Sequence, residues 1–255
     1  VTDKETSIAR LRPYNTAAGC LHLVQAVLIV ILANSFSLPV RATYMTGPPE
    51  PGVGHQPVVL FNVGFAGAIA AFFLLSAVAH FYVVGPGWAN YRTELLIERN
   101  PYRWIEYSLS SSIMVVLIAM LVGISDIAAL IAMIGVNASM ISFGWMQERY
   151  ERPGTGFGPF WIGCLAGIVP WIAIGIYLVG PGANQHPPGF VYAIFFSLFV
   201  FFNCFAINQW LQYKKVGRWA DYLFGERVYV TLSLVAKSLL AWQIFASTLA
   251  SSAAH

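Results

Sequence analysis

The chain is 255 residues long, 58% hydrophobic and only 10% charged, a composition far outside that of soluble domains and expected of an integral membrane protein. Its formal net charge of +3 is too small to imply a nucleic-acid partner, and the basic residues fall in short clusters between apolar runs. Cys20, Cys164 and Cys204 all lie inside apolar segments, a placement that implies neither a disulfide framework nor a metal site.

Residues 1–14 are polar, and the apolar stretch after them is too long for the core of a secretory signal, so no cleavable leader is expected. Seven apolar runs follow, at about 15–36, 57–84, 94–124, 127–146, 158–179, 188–213 and 227–249. Each is near the ~20 residues that a ~30 Å hydrocarbon core requires. All are read as helices, because the alternation of a spanning barrel strand is absent. The third run is strongly apolar only from residue 104; ELLIERNPY before it reads as amphipathic first turns, with Pro101 as a kink. The loop 37–56 carries GPPEPG and is long enough for a small hairpin over one mouth of the bundle. Ser125 and Asp126 mark a tight turn that makes the third and fourth helices antiparallel neighbours. With no internal repeat, the expected architecture is an all-α seven-transmembrane helix bundle forming one domain over 1–255.

Lys4, Arg10, Arg12, Arg92, Arg99, Arg103, Arg149, Arg152, Lys214, Lys215, Arg218 and Arg227 all fall on one side of this layout, against Arg41 alone on the other. The positive-inside rule places the N-terminus in the cytoplasm, with the 37–56 loop and the C-terminus outside.

One further cation, Lys237, lies in the middle of the last run. A cation there costs roughly 2.5–3.5 kcal/mol on the mildest insertion scale, and its central depth is poorly suited to snorkelling. The chemical alternative is a desolvated amine that attacks an aldehyde to form a Schiff base. Such a cation needs a buried anion. Glu106, in RWIEYSLSSS, is the candidate; Glu94, Glu98, Glu148, Glu151, Asp221 and Glu226 read as belonging to the basic loops. The competing reading of Glu106 is a solvated first-turn acid, favoured by its shallow position relative to Lys237. Ser110 and Met114 share its helical face.

Seven spans, a lysine in the last, one Glu early in the third and an inside N-terminus resemble the heliorhodopsins, inverted relatives of microbial rhodopsins. RWIEYSLSSS and SLVAKSLLAW carry the resemblance, which covers essentially the whole chain. It implies that Lys237 holds all-trans retinal as a protonated Schiff base with Glu106 as counterion. Ser233, Ser110, Arg103 and Tyr107 would complete the Schiff-base region. Ser233 stands where the familiar pumps usually have aspartate, and Leu117 where proton pumps often keep a donor acid. With no further carboxylate expected within the spans, net proton pumping is not expected.

The resemblance also implies that His22 and His80, with Gln25 and Ser76 about a turn away, form an internal cluster that accepts the Schiff-base proton. Without it, lone histidines on apolar helices read as packing residues. The expected function is thus a light-sensing photoreceptor of the cell membrane, not an enzyme, with a slow signalling photocycle; the alternative is a light-driven ion transporter. A homodimer is implied, and an unidentified cytoplasmic signalling partner is compatible with this reading. For the retinal pocket the candidates are Met114, Asn137, Ile141, Trp161, Phe199, Phe202, Phe205 and Trp242, with Asn137 equally readable as an interhelical bond. Gly135, Ser139, Gly144, Gly163 and Gly167 permit close helix contact, within the bundle or at a dimer face.

Overall fold

The computed structural model describes residues 3–48, 55–151, 155–180 and 187–252. The chain runs α1 (Asp3–Ile31), β1 (Ser37–Met45), β2 (His55–Gly64), α2 (Phe65–Val84), α3 (Trp88–Leu96), α4 (Pro101–Leu121), α5 (Ile127–Tyr150), α6 (Gly158–Val179), α7 (Gly189–Lys214), a short 3₁₀ turn (Gly217–Ala220) and α8 (Tyr222–Ser252). Among the described residues, seven helices are long and apolar enough to cross a bilayer, all except α3. The protein is a multi-pass integral membrane protein. Of the spans α4 is the most buried, packed against α2 and α5 and touching α6 and α7.

Several boundaries differ from the sequence expectation. Residues 57–64 are strand rather than helix: β2 pairs antiparallel with β1 from Ser37↔Gly64 to Met45↔His55, with an irregularity at Val40/Arg41. The β-branched Val58 and Val59 suit a pleated surface, and the apolar run continues without a break into α2, which hid the boundary. The hairpin is docked where Arg41 N donates to Ser125 O at 2.8 Å, on the α4–α5 turn. Residues 49–54 of the expected loop lie outside the described residues.

The start of α1 is earlier than expected, at Asp3 rather than 15, because Ile8 and Leu11 are buried against Tyr91 and Leu95 of α3 and Tyr222 and Leu223 of α8.

The third run is two helices. After α3 the backbone turns through Glu98 at φ +60°, and Asn100 caps α4 by accepting from Arg103 N. Pro101 is therefore the first residue of α4, where its missing N–H costs nothing, and not a kink.

Finally, α5 continues to Tyr150 and α8 begins at Tyr222, so Glu148 and Glu226 lie inside helices, not in loops. Glycines in α5 and α6 serve packing: a Cβ on Gly144 would lie 2.6 Å from the Trp104 ring, and one on Gly163 3.1 Å from Phe143. Gly135 meets nothing within 4 Å and Ser139 is exposed.

Candidate functional site

Lys237 is buried in the bundle centre, 3% exposed. Its Nζ lies 2.9 Å from Glu106 Oε1 and 2.7 Å from Ser233 Oγ, and 5.4 Å from the centre of the Tyr107 ring. Ser76 of α2 donates to the same Glu106 oxygen at 2.6 Å. The depth difference between Glu106 and Lys237 closes because helical side chains lean toward the N-terminus. The lysine stem thus descends about a turn along α8, to the level of Ser233. Glu106 is not a solvated first-turn acid; it is buried and ion-paired.

Beside this pair lies a mainly apolar cavity of about 170 Å³. Of the residues expected around it, Tyr107, Ser110, Met114, Ile141, Phe199, Phe202, Phe205, Ser233 and Lys237 line it. Three pocket candidates do not. Asn137 donates to Ser111 Oγ and Ser112 Oγ at 2.8 and 3.0 Å, an α5–α4 bond. Trp161 is 58% exposed on the outer face of α6. Trp242 also faces outward, donating to Gln25 Oε1 at 3.2 Å. The tryptophan that enters the cavity from α6 is Trp171, ten residues on, with Phe199 and Phe202 edge-on at 5.3 and 5.2 Å. Because α6 is apolar on all faces, periodicity does not distinguish Trp161 from Trp171.

His22 and His80 come together across α1 and α2, their rings stacked with centroids 5.5 Å apart. Gly19 makes room, since a Cβ there would sit 3.0 Å from His80 Cβ. His80 Nδ1 pairs with Asn15 Oδ1 at 2.8 Å, whereas the nitrogens of the fully buried His22 have no hydrogen-bond partner among the described residues. The expected cluster is thus divided: Ser76 belongs to Glu106, and Gln25 is occupied by Trp242.

Arg103 does not face Lys237. Its guanidinium donates to Glu148 of α5, at 2.7 Å, and to Glu226 of α8. Its guanidinium lies against the rings of Trp104 and Tyr229, 4.5 and 3.9 Å from their centres. Glu148 also accepts from Asn100 N, Trp104 Nε1 and Tyr222 Oη. Sequence reasoning missed both acids because they lie beyond the apolar part of their runs. The available signal was spacing: Glu226, Tyr229, Ser233 and Lys237 recur every three or four residues along one face of α8.

A family model described as Heliorhodopsin matches residues 11–249. The chain belongs to the heliorhodopsin family. No curated protein sequence gives a significant match. Among solved structures, a light-driven proton pump from Leptosphaeria maculans aligns with TM-score 0.63 and 14% identity, over 98% of this chain and 97% of that one. A cyanorhodopsin from the cyanobacterium Tolypothrix sp. NIES-4075 aligns at 0.62 and 14%, over 96% and 94%. The transmembrane domain of a rhodopsin phosphodiesterase from Salpingoeca rosetta aligns at 0.61 and 10%, over 91% and 83%. At such identities these neighbours establish the microbial-rhodopsin fold and nothing finer.

Membership of the heliorhodopsin family implies a retinal chromophore, and the residues present fit one. A primary amine stands at the wall of a slot built mostly from rings, aliphatic side chains and small residues, with a carboxylate within ion-pair distance of the amine. Lys237 would hold the group, and Trp171, Phe199 and Phe202 would flank its apolar body.

Proposed function

We propose that the protein is a light-sensing retinal photoreceptor in which Lys237 is the attachment site and Glu106 the counterion. The observation that carries this reading is the buried Lys237–Glu106 pair at the wall of the aromatic cavity. All-trans retinal, joined to Lys237 as a protonated Schiff base, would supply light absorption and isomerisation. Glu106 balances the positive charge at Nζ, and Ser76 and Ser233 hold the two partners in register. The stacked His22 and His80 stand ready to take a proton from that centre and return it.

The titratable interior is one-sided. Among the described residues the buried acids and histidine, Glu106, Glu148, Glu226 and His22, lie at or on the basic-loop side of Lys237, and the polar pairs beyond it, Ser112–Asn137 and Ser197–Gln243, carry no titratable group. The other half of the bundle is packed by Ile69, Leu117, Ile118, Ile194, Leu240 and Ile244. A vectorial pump needs exchangeable groups on both sides of the moving charge. This asymmetry supports an internal proton cycle and a slow signalling state over net transport. The basic ends would face the cytoplasm, where a partner reads the altered helix packing, and two copies would act together as a homodimer in the bilayer.

The deciding experiment is a visible spectrum of the purified protein with added all-trans retinal, before and after hydroxylamine under illumination. The expected result is a band that forms and then bleaches; no band refutes the assignment of Lys237. Illuminated vesicles should then show no sustained pH change or current, and a sustained signal would establish the light-driven transporter instead.

A further inference from the structure

We propose that Glu226 carries a proton in the resting protein, which makes the Arg103–Glu148–Glu226 triad a second proton-holding site apart from Lys237 and Glu106. The argument begins with charge. Two carboxylates and one guanidinium are buried together, each side chain 5% exposed or less. With both acids ionised the group would carry a net negative charge away from water, a state that costs several kcal/mol per uncompensated ion. One proton removes it.

Among the described residues, the groups around the triad include no second cation to do so. Facing it are Asn100 from the α3–α4 turn, Trp104 from α4, Tyr222 and Tyr229 from α8, Tyr213 from α7 and Tyr91 from α3. All are neutral donors or rings. Burial pushes the Tyr91 hydroxyl above its ordinary value, so it stays un-ionised. Arg99 lines the adjoining cavity at the basic face and donates to the Arg149 carbonyl at 2.9 Å. Lys237 is matched by Glu106.

Hydrogen bonding then says which acid holds the proton. Glu148 accepts from four donors: Arg103 Nη2, Asn100 N, Trp104 Nε1 and Tyr222 Oη, at 2.6–2.9 Å. That arrangement satisfies an ionised carboxylate and leaves little room for an acidic hydrogen. Glu226 accepts from two, Arg103 Nη1 and Asn100 Nδ2. The Asn100 amide orientation is set independently, because its Oδ1 accepts from Arg103 N. Glu226 therefore has the spare oxygen valence.

Position gives this proton its significance. Trp104 and Tyr229, which clasp Arg103, also line the cavity beside Lys237, while Glu148 and Tyr222 line a polar cavity of about 720 Å³ at the basic face. The triad is the partition between the two, and its proton is the exchangeable charge of that partition.

The test is infrared spectroscopy of the dark protein in H₂O and D₂O. A deuterium-sensitive carboxylic C=O band is expected that survives Glu106→Gln and is lost in Glu226→Gln. It is also lost in Glu148→Gln, because Glu226 must then ionise to balance Arg103. Glu226→Asp should restore an acid band at a shifted frequency. Absence of any such band from the unsubstituted protein overturns the proposal without a variant. So does a band that persists in both Glu226→Gln and Glu148→Gln. The measurement is made in the dark and does not depend on the photochemical reading of Lys237.

Discussion

Ser76 donates its hydroxyl to Oε1 of Glu106 at 2.6 Å, the same oxygen that faces Lys237 Nζ. The hydrogen bond draws negative charge away from the ion pair. Ser76→Ala should therefore concentrate that charge on the Lys237 side and shift the visible band to shorter wavelength. A hydrogen bond to a charged group contributes about 1.5–3 kcal/mol, so thermal stability should fall by up to that amount. Absorbance spectra and melting of the pigment check both, and an unmoved band would mean that Ser76 does not tune the pair.

Glu106→Gln should move the band to longer wavelength, because removing the anion lowers the energy of the excited state relative to the ground state. Lys237→Ala should form no pigment at all. A native band in the lysine variant would refute covalent attachment, and an unshifted band in Glu106→Gln would refute the counterion role.

Arg103→Met separates two locations for this arginine. If Arg103 belonged to the surroundings of Lys237, the substitution would displace the visible maximum. Its partners are instead Glu148 and Glu226. The expected outcome is a nearly unchanged maximum with a loss of about 3–5 kcal/mol, the usual effect of stranding buried charge. Spectra and thermal denaturation, taken together, decide it.

Gly144→Ala places a methyl group 2.6 Å from the Trp104 ring. Trp104 must then move, straining its hydrogen bond to Glu148 Oε2. Overpacking of this kind costs about 1–3 kcal/mol. A matched Gly135→Ala, which meets nothing within 4 Å, should cost no stability and serves as the control.

How far the sequence could be read depended on contrast. Lys237 and Glu106 stand out because charge inside an apolar run is rare, and the seven spans stand out because their runs are long. Glu148 and Glu226 do not, because hydropathy falls where charged residues gather although α5 and α8 continue past that point. Residues 57–64 were indistinguishable from α2 because VVLF is as apolar as the helix it precedes, and only Gly64 marks the change. The aromatic candidates divided by rotational phase: Phe199, Phe202 and Phe205 point inward, whereas Trp161 points out and Trp171 takes its place. A helix surrounded by apolar partners, lipid on one side and protein on the other, gives no sign in its composition of which side is which.

The face of α8 has a mechanical consequence. Glu226 and Lys237 are eleven residues apart on one continuous helix, roughly 16 Å along its axis at about 1.5 Å per residue. They project from nearly the same angle. A rigid shaft with two cranks in line cannot turn one without turning the other. A rigid rotation of α8 that moved Lys237 away from Glu106 would also move Glu226 relative to Arg103, so the two charge clusters would respond to such a rotation together.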